Sequence, residues 1–276
     1  LTGLTASTTY YFRISTYSGT GGAGDFGTVG TTQSFTTAAA GVVGQNLSFP
    51  ALSDITYGGS PSTPAATSTN ASTGASTGLT ITYTSQTTSV CTISGTSITV
   101  LTAGTCTIRA SQSGGTGTGG VVYSAATNVD DSFTIAAKGL TVASGVNVSN
   151  KAYDGTTSGT VSCSSVTLSG VVSGDAGAVS TDCTSATGSF PLASVGSQSV
   201  AVSGITLSGT KASSYTLTQP TVTASITAKA LTIASGFSAS NKAYDGSTSA
   251  SITCSSPTLT GVISADSGNA VSYTHL

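Results

Sequence analysis

Lys151-Ala-Tyr153-Asp154-Gly155 returns as Lys242-Ala-Tyr244-Asp245-Gly246, 91 residues further on (151 to 242). An ammonium three residues from a carboxylate, with a phenol between them, has the groups for a ligand or calcium site. Its exposed oxygens would be those of Asp154 and Asp245. The same residues also make a turn with no chemistry, because Asp bonds nearby backbone and Gly supplies a positive φ. Asp-Gly is a standard turn pair. A structural turn is therefore expected at Lys151, Tyr153, Asp154 and Gly155, and again at Lys242, Tyr244, Asp245 and Gly246. Each Tyr is expected to pack against the end of the strands. Asn150 beside Lys151, and Asn241 beside Lys242, raise a Lys–Asn isopeptide crosslink, but neighbours in sequence cannot bridge two facing sheets.

Other constellations are thinner still. Asp130 and Asp131 are adjacent, yet calcium takes about six to eight oxygens and no D-x-D-x-D-G loop is present. Adjacent strand residues also point to opposite faces. A Ser-His-Asp nucleophile needs a well-placed histidine, and the single one, His275, is the penultimate residue. No G-x-S-x-G elbow occurs. Nothing selects an opposed pair among the nine aspartates for glycoside hydrolysis. No catalytic residue, cofactor or metal is expected, and the chain is read as a non-enzyme. Asn46, Asn70 and Asn147 head N-x-S sequons, which arise by chance in a Ser-rich chain.

Composition narrows the classes further. Charged residues are 6% of 276 and the net charge is −2, with a pI near 4.9. A basic face for nucleic acid is therefore absent. Disorder would call for a polar, highly charged chain, whereas mean hydropathy here is +0.25. Glu and Met do not occur, no apolar 3.6-residue period is sustained, and no helix is expected. No apolar run reaches the roughly 18 residues of a membrane helix. Trp is also missing, so the usual aromatic platform for a sugar is weak.

The elements that must hold the turns are strands. Short runs alternate at period two and break at Gly, Ser or Thr. In 41–137 they are LTITYTS, SVCTIS, SITVLTAG, TCTIRASQ, VVYSAA and SFTIAA, with the Ser/Thr/Ala-rich stretch 65–76 expected as a long loop. Cys91 shares parity with Ile93 and Cys106 with Ile108, so both thiols face the apolar side. In 138–228 the runs are LTV, VNV, TVSC, VTLSGVV, QSVAVSGITL, YTLTQ and TVTASI. A 91-residue period matches one β-sandwich module rather than a solenoid repeat.

Three resemblances follow from these residues. Leu4, Thr8 and Tyr10 fit the L-x-P-x-T-x-Y tyrosine corner of a fibronectin type III domain, with Ala6 in the Pro position. Residues 1–40 would be the C-terminal part of such a domain, too few strands to be stable alone. Phe49, Leu52, Asp54, Tyr57 and Gly58, with V-C-x-x-x-G at 90–95 and A-G-T-C-x-I at 103–108, resemble a bacterial immunoglobulin-like module over 41–137. The K-x-Y-D-G-T-T of 151–157, with L-x-G at 207–209 and Y-x-L at 215–217, resembles the YDG repeat of modular, adhesin-like bacterial surface proteins. One full repeat would span 138–228 and a second, cut at about half length, 229–276.

These resemblances imply an all-β fold of tandem immunoglobulin-like β-sandwich modules, read as an excerpt of a longer array. Disulfides Cys91–Cys106 and Cys163–Cys183 are expected. Cys254 corresponds to Cys163 but has no counterpart of Cys183. Disulfides place the chain outside the cytosol, at a bacterial cell surface or secreted. The final Ser-Tyr-Thr-His-Leu departs from the repeat and resembles sequencing-adapter read-through. The expected function is a non-catalytic spacer array that presents a distal domain, its partners being neighbouring modules of the same chain. The alternatives are an adhesive module for glycans or proteins and an accessory region of a secreted polysaccharide-degrading enzyme.

Overall fold

Val, Ile, Thr and Ser at alternate positions give strands that are short and two-faced. The computed structural model describes residues 4, 8–12, 15–17, 26–29, 32–36 and 41–268. Among them the chain is all-β, and its only helical pieces are 3-10 turns such as Ser173–Asp175 and Ser264–Asp266. No helix among the described residues is long and apolar enough to cross a membrane. Two compact units divide the chain, residues 1–136 and 137–276.

In the first unit, Thr9–Phe12 pairs antiparallel with Gln33–Thr36, opposing Tyr10 to Phe35. Their rings stack at 5.9 Å between centroids. A four-stranded sheet runs in the order Ile55–Thr56, Val129–Ala136, Gly104–Ser111, Thr82–Ser85. Cys106, Ile108 and Ala110 alternate along the Gly104–Ser111 strand and are completely buried, beside Phe133 and Ile135 of its neighbour. The Cys91–Cys106 disulfide, 5.7 Å between Cα atoms, ties the hairpin Cys91–Ser94/Ser97–Val100 to this sheet. Both thiols lie on the apolar side, as their parity with Ile93 and Ile108 requires.

The stretch 65–76 is not a loop throughout. Thr67–Asn70 is a strand paired with Gln45–Ser48. Its inward side chains are polar, which hid it from any apolar alternation. Ser68 and Asn70 are buried together with Gln45, Thr77 and Gln112. Ser68 Oγ donates to Gln45 Oε1 at 2.5 Å, Thr77 Oγ1 donates to Ser68 Oγ at 2.9 Å, and Gln45 donates onward to Gln112. Buried polar groups are tolerable when each finds a partner, and here they find one another.

In the second unit, residues 138–228 form two larger sheets and a two-stranded one, Ser180–Asp182 with Thr206–Ser208. One larger sheet runs Val161–Ser169, Lys138–Val148, Tyr215–Thr218; the other runs Lys151–Ala152, Thr221–Thr227, Gly196–Ser203, Thr187–Ser189, Ser158–Gly159. Val148 from the first sheet meets Val200, Val202, Ala224 and Ile226 of the second around Phe190, which is 1% exposed. Gly159 lets this happen: a Cβ there would lie 2.9 Å from Val148 Cγ1 and 3.1 Å from Phe190 Cε2. Cys163–Cys183 closes the edge with Cα atoms 6.5 Å apart.

Two pairs of expected short strands are single long ones. LTV and VNV belong to Lys138–Val148, and TVSC and the first part of VTLSGVV to Val161–Ser169, which ends before Gly170 at φ 99°. A bulge interrupts their pairing between Val142 and Val146, with Gly145 at φ 92° facing Ser165 at φ 51°. Such a bulge breaks the period-two pattern without ending the strand. Conversely, QSVAVSGITL is split at Gly204 (φ 80°) into Gly196–Ser203 and Thr206–Ser208. The recurring block makes the same paired strands, Thr232–Ala239 with Ile252–Thr260, and the same bulge at Gly236 and Ser256.

Phe190→Ala removes the centre of the core and is expected to cost about 3–5 kcal/mol in urea unfolding. Replacing Cys163 and Cys183 together by Ser opens a loop of separation 20. That change should cost about 3 kcal/mol by the loop-entropy relation. Non-reducing peptide mapping should recover both disulfides and leave Cys254 alkylated; free Cys91 and Cys106 would contradict the structure.

Candidate functional site

Lys151 opens a two-residue strand, Lys151–Ala152, which pairs parallel with Thr221–Thr227 and sets Lys151 opposite Ile226. Asn150 Oδ1 accepts the Ser225 N–H at 2.8 Å, and the Tyr153 N–H donates to the Thr227 carbonyl at 2.8 Å. Anchored on both sides, the chain then reverses. Asp154 Oδ1 accepts from the Thr156 N–H at 2.9 Å, the Thr156 hydroxyl at 2.8 Å and Lys151 Nζ at 2.8 Å. Lys151 Nζ also reaches the Thr156 carbonyl and hydroxyl, each at 2.8 Å, and sits 5.7 Å from the Phe190 ring centroid. Gly155 has φ 74°, the left-handed conformation a side chain resists.

The second occurrence repeats the lysine, aspartate and hydroxyl network. Lys242 Nζ lies 2.8 Å from Asp245 Oδ1, 3.0 Å from the Ser247 carbonyl and 2.8 Å from its hydroxyl. Asp245 Oδ1 accepts the Ser247 N–H at 3.0 Å. Ser replaces Thr without loss because only the hydroxyl and backbone are used. Lys151 beside Asp154, with the Thr156 N–H and hydroxyl, holds the Asp154 carboxyl down to about 2. Lys242 and Ser247 lower Asp245 in the same direction. The charges in each turn are thus spent on one another, and a cation at Asp154 would have to displace Lys151.

Tyr153 packs against the Phe190 core. It lines a cleft of about 370 Å³ with Val195, Ala228, Leu231, Ile263 and Asp266. A hydrogen bond to the Asp266 carboxylate, and burial after it, raise the Tyr153 phenol above its ordinary value. In the second occurrence Tyr244 is 98% exposed. Tyr153 and Asp154 are therefore neighbours in sequence with separate duties.

Asp130 and Asp131 also part company. Asp130 takes Arg109 in a two-pronged pair, Nε to Oδ1 at 2.7 Å and a terminal nitrogen to Oδ2 at 2.8 Å. That hydrogen bond lowers the Asp130 carboxyl and raises the Arg109 guanidinium. Asp131 Oδ2 instead accepts the Leu52 N–H at 2.6 Å. Among the described residues, no three His, Cys, Asp or Glu side chains gather where a metal could sit. Asn70 is buried and its amide oxygen accepts the Ser72 and Thr73 N–H groups, so it does not present a glycan acceptor. His275 lies outside the described residues.

Residue-by-residue reading missed Asp175 and Asp266. Asp175 is buried, and its Oδ2 accepts the Tyr215 hydroxyl at 2.6 Å. The same hydroxyl accepts the Val172 N–H at 3.1 Å. The 91-residue offset would have flagged the two aspartates, since 175 maps onto 266.

The depressed carboxyl gives a pH window. A group lowered on folding contributes fully above its unfolded value and loses that contribution as pH falls through the folded one. Asp154 should therefore hold its turn down to about pH 4 and release it towards about pH 2. A carboxyl carbon NMR titration reads this directly. Lys151→Met should move the Asp154 midpoint upward, and an unmoved midpoint would remove Lys151 as the cause.

No curated protein matches this chain. Residues 136–224 match the YDG domain family, the span that contains the two sheets, the Phe190 core and the first Lys-Ala-Tyr-Asp-Gly turn. Residues 136–224 of this chain are a YDG domain.

Proposed function

We propose that the chain is a non-catalytic structural array of an extracellular bacterial surface or secreted protein, built to hold a distal domain at a distance. In this reading residues 41–137 are an immunoglobulin-like sandwich, residues 138–228 are one YDG repeat, and 229–276 belong to a second. Residues 1–40 are the end of a fibronectin type III domain. The observation that carries it is the recurring turn. Lys151 with Asp154, and Lys242 with Asp245, close on themselves in both occurrences, which serves shape and pairs both charges of each turn. The two disulfides support an oxidising, extracytosolic setting.

An adhesive module is the second reading, and one observation favours it. Tyr244 stands 98% exposed, and an exposed aromatic ring is a platform on which a sugar can stack. A glycan array probed with the full chain separates the two. The spacer reading expects a blank array. Specific binding that disappears in Tyr244→Ala would replace it with the adhesive one.

A further inference from the structure

The cleft beside Tyr153 joins the YDG domain to the recurring block that follows it. Its walls come from both: Tyr153 and Val195 on one side, Leu231, Gly261, Val262, Ile263 and Asp266 on the other, with Ala228 and Lys229 between them. Three features converge there. Tyr153 and Asp266 line the same cleft. A Cβ on Gly155 would lie 2.8 Å from Ile263 Cδ1, so that side chain rests on the bare face of the glycine. The lining is mostly apolar, with Val195, Leu231 and Val262 around the tyrosine ring.

We infer that the Tyr-Asp-Gly turn is the joint between successive repeats. Tyr153 and Gly155 form the acceptor, and residues 263–266 of the next block, an apolar β-branched residue followed three places on by Asp, form the insert. The turn itself does not need the partner. Gly246 keeps the conformation of Gly155, φ 73° against 74°, with no atom within 4 Å of the position a Gly246 Cβ would take. Asp154 and Lys151 pre-form the turn, Gly155 keeps its face bare, and Tyr153 lines the cleft that receives the insert.

The joint stands whether the array is a spacer or an adhesin, so its test is separate from the glycan array. Small interfaces within a chain leave relative motion as the default. Nitroxide labels on the exposed Cys254 and on T216C, in the full chain, report the spread of distances between the two blocks by pulsed electron resonance. One narrow distribution is expected for the parent. I263S and G155A should each broaden it about twofold, towards that default motion. Y244F and G246A should leave it unchanged. G246A carries the same positive-φ penalty as G155A with no neighbour to strike, so it separates turn strain from lost docking. I263S changes no turn residue, so it remains informative if G155A fails to fold. A broad parent distribution, or one indifferent to I263S, would overturn the joint.

Discussion

Between Val148 and Lys151 the chain steps from one sheet of the YDG domain to the other, and the rest of that domain is arranged around the crossing. Val148 ends the strand that contributes the first sheet's share of the core. Asn150 and Tyr153 then take up a backbone N–H and a carbonyl of the Thr221–Thr227 strand. That places Lys151 against the five-stranded sheet, where its ammonium closes the Asp154 turn and overlies the Phe190 ring.

The turn explains how so uncharged a chain uses its few charges. Among the described residues each ion pair is local in space and bonded in more than one way: Arg109 with Asp130, Lys151 with Asp154, Lys242 with Asp245. Exposed ion pairs contribute little to stability, so their value is geometric. Arg109 and Asp130 hold two neighbouring strands in register. The two lysines set the shape of a reversal that leaves a glycine face bare.

The first unit answers the same shortage of apolar residues differently. Where a hydrophobic core would need Leu or Phe, Gln45, Ser68, Thr77 and Gln112 pack against one another through hydrogen bonds. A network of this kind tolerates no missing member, because each group left over would be buried without a partner. The Cys91–Cys106 bond and the layer of Ile108, Phe133 and Ile135 supply the apolar half of that unit.

What the amino-acid order determined by itself was parity, punctuation and recurrence. Alternation placed Cys91 and Cys106 inside, Asp-Gly marked both reversals, and the 91-residue offset identified matching blocks. Each of these depends on neighbours in sequence or on direct comparison of two segments. Only the tertiary structure decided the strand at Thr67–Asn70, whose inward Ser and Asn are recognisable once Gln45 and Gln112 arrive from elsewhere. Only it joined LTV to VNV, since the bulge at Gly145 is made by a second strand carrying Ser165. It also separated Tyr153 from Asp154, adjacent residues that one turn sends to different surroundings: the aspartate to Lys151 three residues away, the tyrosine to a cleft it shares with Asp266 of the next block. A contact across more than a hundred residues has no signature in local order, because neither Ile263 nor Asp266 departs from ordinary strand-and-turn composition.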